Sequence, residues 1–407
     1  MSTVVQKAHS PLGASSAERW MNCPGSNVLL NALDLPEGSD SSDFAIEGTN
    51  AHEAAAYCLR TDSDAWEIMG EFSGANGKFE VTVEMADGVQ LYLDVVRSLV
   101  AEHGDPVHVN HVVEERISGD FHTQFYGTVD DAILGPEILD VTDFKYGAGI
   151  AVDAYDNPQL KYYAVGILNR YIGAKRVRLR IVQPRAFHED GPVRVWETTA
   201  EELLNWKRDV LIPAMNRAEI SHTLTPGDWC RFCPAKIACP LLVGLFGASV
   251  SADASALANY SNDGLARNYQ LVAAVKHYIK ALEGEVYARL NRGEEVSDGT
   301  KDGTFILTYK RANRVLSPDG VKVLELCAAP PPGYDPPFKP EEVYTKPEIK
   351  SPAQIDELGP RGKEFTKEYA YTPQTGLTVV PASSNKVAVK VKKVAEIFSD
   401  YAQKAEA

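Results

Sequence analysis

The 407-residue chain has no apolar run long enough to cross a bilayer. Its most apolar stretch, LLVGLFGASV, covers only residues 241–250, far short of the roughly 20 residues a spanning helix needs. The opening MSTVVQKAHSPLGASS lacks the apolar core of a secretory signal. Together these absences predict a cytoplasmic protein whose thiols stay reduced. No Ser-His-Asp order, P-loop or dinucleotide fingerprint is present, and there is no internal repeat or heptad array. Cysteine is scarce, six in all, so clustered cysteines point to metal rather than to a disulfide framework. Positive charge is in deficit: the formal net charge is −15, which excludes a surface coated in nucleic-acid-binding charge. What remains is an ordinary globular composition, 44% hydrophobic and 24% charged, long enough for two domains.

One stretch departs from the acidic average. From Asn157 to His188 there is no acidic residue, while Lys161, Arg170, Lys175, Arg176, Arg178, Arg180 and Arg185 all fall there. A local basic groove on an acidic protein suits a polyanionic substrate; a solvated helix and strand surface is the plainer reading.

The order of elements predicts an α/β core. AIEGTNAHEAAAYCLR (45–60) reads as helical, and VVEERIS (112–118), FYGTVDDAIL (125–134) and LDVTDFKYG (139–147) as three short strands. A helix follows at 157–173. RVRLRIVQP (176–184) alternates as a half-buried strand does, and residues 195–219 give a strand and a helix with Thr199 and Glu202 spaced as a capping box. Residues 244–263 are rich in Gly, Ala and Ser and read as a linker, before a long helix with apolar residues from Leu265 to Leu290. The expected domains are therefore 1–245, a linker at 246–263, and an accessory α+β region at 264–407.

Chemistry concentrates in the middle of the chain. Asp143 and Lys145 are two apart, so in a strand they share a face, and Asp130 lies beside them if the two strands form a hairpin. Two carboxylates make a hard oxygen site for Mg²⁺ or Mn²⁺, and a lysine beside it can orient or deprotonate a water. Asp131 is the alternative to Asp130. Upstream, His52 follows Gly48 by four residues near a helix start; downstream, Gln159 and Tyr163 sit four apart on one helix face. Singly, each of these is an ordinary surface pair or packing residue.

In combination and in this order, G-x3-H, G-x2-D, D-x-K and Q-x3-Y resemble the RecB-like branch of the PD-(D/E)XK nucleases, over roughly residues 15–245. The resemblance implies a restriction-endonuclease-like core with a central mixed sheet flanked by helices. It implies that His52, Asp130, Asp143 and the backbone carbonyl of Phe144 hold the catalytic metal. Lys145 then works with the attacking water, and Gln159 and Tyr163 lie against the nucleic-acid strand. The implied activity is metal-dependent DNA hydrolysis, with exonuclease favoured over endonuclease.

The cysteines form the second pattern. DWCRFCPAKIACP (228–240) holds Cys230, Cys233 and Cys239, and Cys23 shares the Cys-Pro context of the last two. Cys58 and Cys327 have no such spacing and read as small hydrophobes. Four thiolates suit either structural Zn²⁺ or an iron–sulfur cluster. One remote cysteine plus C-x2-C-x5-C resembles the [4Fe–4S] staple of AddB-like and CRISPR adaptation nucleases, which favours the cluster and a structural role.

The layout of SSAERWMNCPGS, DFKYGAG, NPQL and IVQPR is similar to an uncharacterised phage and prophage family of RecB-like proteins. That likeness implies a host bacterial cytoplasm and a role in DNA recombination, replication or repair beside a single-strand annealing or replication protein. Two further readings stand beside it: a non-catalytic nucleic-acid-binding scaffold and a zinc-stabilised structural protein. In the C-terminal part, YKRANR (309–314) and Lys386, Lys390, Lys392 and Lys393 are candidate phosphate contacts, and SPAQIDEL (351–358) reads as a capped helix start.

Overall fold

A computed structural model describes residues 10–33, 43–75, 77–104, 110–171, 173–250, 261–309, 315–316, 342, 350–371, 377–381 and 389. Strands β3 (Asn110–Ser118), β4 (Tyr126–Leu134), β5 (Ile138–Phe144), β6 (Arg176–Val182) and β7 (Val193–Thr199) form one sheet in that order. The first three make an antiparallel meander, β5 and β6 run parallel, and β7 returns antiparallel. The parallel step needs a crossover, supplied by helix α5 (Pro158–Leu168). Asn157 starts that helix by accepting from the amides of Gln159 and Leu160, with Pro158 in the first turn. The protein is therefore α/β, with a five-stranded mixed sheet flanked by helices.

Alternation along the strands covers both faces of this sheet. Leu139, Val141, Val177, Leu179 and Ile181 pack with Leu160, Tyr162 and Val165 of α5. Phe144 and Val182, of opposite parity, pack with α3 (Asp43–Thr61) and α4 (Val83–His103), through Ala51, Ala54, Ala55, Val89, Tyr92 and Leu93. Cys58 is buried in this second cluster, as a small hydrophobe would be. The hairpin of β1 (Gly70–Gly74) and β2 (Gly77–Val81) lies between α3 and α4 in sequence. Thr199 and Glu202 form the expected capping box at the start of α6 (Ala200–Trp206), and α7 (Ile212–Ile220) follows after a wide turn.

The N-terminal segment is drawn into this core. Trp20 of α1 (Ala17–Asn22) is fully buried and donates to the Gly13 carbonyl at 3.0 Å. At the start of α2 (Gly25–Leu33), the Gly25 amide donates to the Thr223 carbonyl at 2.8 Å. A Cβ at Gly25 would meet that carbonyl oxygen at 2.7 Å, so the glycine of CPGS is what lets two segments two hundred residues apart touch.

Three expectations change. The basic stretch is not a free cationic groove. Lys161 pairs with Asp156, Arg170 with Glu115, Lys175 with Glu137 and Arg176 with Glu197. Arg178 and Arg180 pair with Asp140, and Arg185 with Glu47 and Glu84. Every one of the seven thus has a carboxylate partner, and all of these but Asp156 come from distant parts of the chain. Secondly, the 246–263 stretch is helical at both ends, in α8 (Pro240–Val250) and α9 (Asn262–Asn291), while 251–260 lie outside the described residues. Thirdly, the chain divides into compact units at Met1–Ile279 and Lys280–Ala407, inside α9 rather than at the expected linker. Ala274 and Tyr278 explain the position of that break, since they pack with Cys230, Cys239 and Leu242.

Within the second unit, β8 (Phe305–Tyr309) pairs with β11 (Leu377–Pro381), and β9 (Val315–Leu316) with β10 (Ala370–Tyr371). Helices α10 (Pro352–Asp356) and α11 (Pro360–Tyr369) accompany them, and Ser351 and Gln354 form a capping box. Residues 310–314, Cys327, Lys386, Lys390, Lys392 and Lys393 lie outside the described residues. Among the described residues, no helix is long and apolar enough to cross a membrane.

Candidate functional site

The β4–β5 hairpin and helix α3 bring the expected residues to one place. Asp130 leaves the β4–β5 ladder just before its first paired residue, Asp131, so its side chain is free to turn toward α3. His52 Nδ1 lies 3.5 Å from Asp130 Oδ1. The other Asp130 oxygen accepts from the Phe144 amide at 2.8 Å, which fixes the carboxylate against β5. Asp131 turns elsewhere and pairs with His111, so the two candidates separate and Asp130 is the one at the site. It is the Phe144 N–H that meets Asp130, and the Phe144 ring lies 5.4 Å from the His52 ring and stacks on Tyr92.

Sequence reasoning missed a third ligand-type residue. Glu114 Oε1 is 3.7 Å from His52 Nδ1. His52, Glu114 and Asp130 form a group whose potential ligand atoms all lie within 4.8 Å of one another. Glu114 stands across the β3–β4 ladder from Asp130, between the pairs Val113–Asp131 and Glu115–Val129. Its backbone is left-handed, with φ 51°, a conformation that L-residues occupy at a cost and that clusters at functional sites. The available signal was the pair Glu114–Glu115 interrupting the apolar pattern of VVEERIS.

Asp143 and Lys145 make the other half. Lys145 Nζ is 3.0 Å from Asp143 Oδ2, on the shared face the spacing required. Gln159 joins them: its amide nitrogen donates to Asp143 Oδ1 at 2.9 Å and to the Tyr163 hydroxyl at 3.1 Å, and its oxygen accepts from Lys145 at 2.8 Å. The Gln/Tyr pair thus orients the carboxylate and the lysine; Tyr163 itself is buried. Asp143 Oδ2 is buried, and the Lys145 ammonium is the cation that faces it.

Electrostatics agree with a cation site. Burial pulls the His52 pKa down, but Asp130 and Glu114 outweigh it and raise it to about 9. Burial pushes Asp130 up, with the His52 charge opposing and Asp143 adding to the rise. The carboxylates of Asp130 and Glu114 thus favour positive charge at this point. A set of carboxylate oxygens with one imidazole suits Mn²⁺ or Mg²⁺. Glu114→Gln is expected to weaken Mn²⁺ binding on the order of tenfold or more, read by calorimetric titration; an unchanged affinity removes Glu114 from the ligand set.

The segment after Lys145 is held by a second device that the motif IVQPR did not announce. Gln183, buried, donates to the carbonyls of Gly147 and Ile150 and accepts from the amide of Val152 and from Arg194. Arg194 in turn donates to the Val152 carbonyl at 2.8 Å. The Lys145 amide donates to the Val182 carbonyl at 2.8 Å. The lysine and the loop beyond it are therefore tied to β6 from both sides.

Cys23, Cys230, Cys233 and Cys239 are all free and buried, and all four line one small pocket with Arg19, Ser26, Trp229 and Leu242. Cys23 Sγ accepts from the Thr225 amide at 3.3 Å, so the remote cysteine does join the C-x2-C-x5-C segment. Burial, followed by the mutual proximity of the thiols, pushes Cys230 up to about 11 against a backbone hydrogen bond. Among the described residues, the sulfurs do not form a group within 4.8 Å of one another.

The site and fold define an α/β protein with a carboxylate–histidine–lysine centre and a separate four-cysteine pocket. A family model described as a protein of unknown function, DUF2800, matches residues 9–387; the chain belongs to that family.

Proposed function

We propose that this protein is a metal-dependent DNA nuclease on a PD-(D/E)XK-type core, acting as an exonuclease in recombination, replication or repair. The observation that carries the reading is the junction at Asp130: one oxygen faces His52 and Glu114, and the other is fixed to Phe144, between Asp143 and Lys145. His52, Glu114, Asp130 and Asp143 would hold Mg²⁺ or Mn²⁺. The bound ion would lower the pKa of a water and neutralise charge on the phosphorane.

The chain's own residues do the rest. Lys145, steered by Gln159, sits where its ammonium can donate to the attacking hydroxide or to a phosphate oxygen. Asp143, fixed by the same glutamine, keeps that lysine pointed. The attacking oxygen forms the new P–O bond as the bond to the leaving sugar oxygen breaks, and that oxygen leaves with a proton from solvent. The four cysteines fasten the N-terminal segment to residues 225–242, through an iron–sulfur cluster or, as the alternative, zinc.

Full-length protein is incubated with linear DNA labelled at the 5′ or 3′ end, single- and double-stranded, and with circular DNA. Mononucleotide release from linear DNA only with added Mg²⁺ or Mn²⁺ is expected, with circles left intact. Cleaved circles replace exonuclease by endonuclease. DNA binding without cleavage under any divalent ion sinks the enzyme and leaves a scaffold.

A further inference from the structure

Arg19 has no role in anything described above, yet its placement is costly. It sits on α1 and is only 9% exposed. Its side-chain hydrogen bond runs from Nη1 to the Ser26 hydroxyl at 3.1 Å. Among the described residues no carboxylate pairs with it. A guanidinium carries five donors and stays charged, and a buried charge without a partner is strongly unfavourable. Its environment must therefore supply negative charge.

That environment is the cysteine pocket. Arg19 lines the same cavity as Cys23, Cys230, Cys233 and Cys239. The Cys23 amide donates to the Arg19 carbonyl at 2.8 Å, so the cysteine caps the helix that carries Arg19. The remaining walls are mostly apolar, including Leu29, Leu224, Leu241 and Leu242; Lys236 also lines the pocket, its ammonium donating to the Arg231 carbonyl, so charge inside is poorly screened. A free small anion is a poor occupant, because four sulfur acceptors would repel it. The negative charge has to come from the thiolates themselves once a metal centre has removed their protons.

We infer that Arg19 is the built-in counter-cation of an iron–sulfur centre held by Cys23, Cys230, Cys233 and Cys239. The inference rests on the four-cysteine reading above and adds a residue and a property to it. Four thiolates around a dicationic cluster core leave an overall dianion, which the guanidinium half neutralises. Reduction adds one electron and one more negative charge beside the same cation. Arg19 therefore favours the reduced state and raises the potential of the centre, net local charge being one determinant of cluster potential. It also makes the pocket bind its cluster more tightly.

The test uses full-length protein purified without oxygen, as wild type and as Arg19→Lys, Arg19→Gln and Arg19→Met. Iron and sulfide per chain, the rate of iron loss to a chelator, and the midpoint potential by dye-mediated titration are measured, with no reference to nuclease activity. Arg19→Lys is expected to stay near wild type in all three. Arg19→Met and Arg19→Gln are expected to show a more negative midpoint and loss of iron faster on the order of tenfold. Glutamine keeps donors without charge, so it isolates the charge if the methionine variant fails to fold. Wild-type protein carrying zinc and no iron overturns the four-cysteine cluster reading underneath. Wild-type protein with full iron, and a glutamine variant indistinguishable from it, overturns the role of Arg19 alone.

Discussion

Replacing Lys145 by alanine is expected to lower the rate of DNA cleavage by about 10²–10⁴-fold, the usual worth of a positioned proton-transfer or charge-stabilising group, without weakening the metal site. Lys145 is not itself a ligand-type residue, and its cation stands beside Asp143, 3.0 Å away. Removing it takes positive charge away from a cation site, so Mn²⁺ affinity should hold or rise. Asp130→Asn should behave in the opposite way: it removes an oxygen that faces His52, and affinity and rate should fall together. The pair of variants separates chemistry from ion binding, since a loss confined to turnover marks an interaction made in the transition state. Mn²⁺ titrations run beside cleavage rates give the answer. A Lys145→Ala protein that cleaves like wild type removes the lysine from the mechanism; one that fails only because it no longer binds Mn²⁺ makes the lysine structural.

Cys23→Ser is expected to cost stability first and activity only in consequence. Cys23 and Cys230 line one pocket from opposite ends of the first unit. A cross-link closing a loop of this length removes denatured-state entropy equivalent to about 5 kcal/mol. At about 2–4 °C per kcal/mol for a domain of this size, the melting temperature should fall on the order of 10–20 °C. Part of the fastening survives, because the Gly25–Thr223 contact and the burial of Trp20 need no metal. The fall should therefore lie toward the lower end. Cleavage measured well below the transition should stay near wild type. Melting by circular dichroism, paired with cleavage at low temperature, decides the matter. An unchanged melting temperature with lost activity would make the cysteines part of the reaction.

The meander and α5 were legible because their signals are local. Strand periodicity, Asn157 before Pro158 and the Thr199–Glu202 box each follow from neighbours in sequence. So did the shared side of Asp143 and Lys145, which needs only the period of a strand. The choice of Cys23 over Cys58 came from the proline after it, and the two do fall in different cores. Other features depend on distant partners. The basic stretch looked available because its counter-charges, Glu47, Glu84, Glu102, Glu115, Glu137, Asp140 and Glu197, come from other elements. Asp156 alone was adjacent. Gln183 was visible only as a letter in a motif, since its four partners include three backbone groups in a loop thirty residues upstream. The boundary at Ile279 was hidden because α9 is continuous across it.

Glu114 sets two demands of the molecule against each other. Its left-handed backbone, at φ 51°, costs about 1–2 kcal/mol in a residue with a Cβ, and glycine would adopt it freely. The substitution most favourable for the backbone at this position is thus one that deletes a carboxylate from the candidate metal group. Selection for heat resistance alone would drift toward glycine here, and selection for ion retention would hold the strained glutamate. A consensus-style stabilisation of this fold should leave position 114 untouched, because the energy it would recover is the energy spent on aiming that side chain.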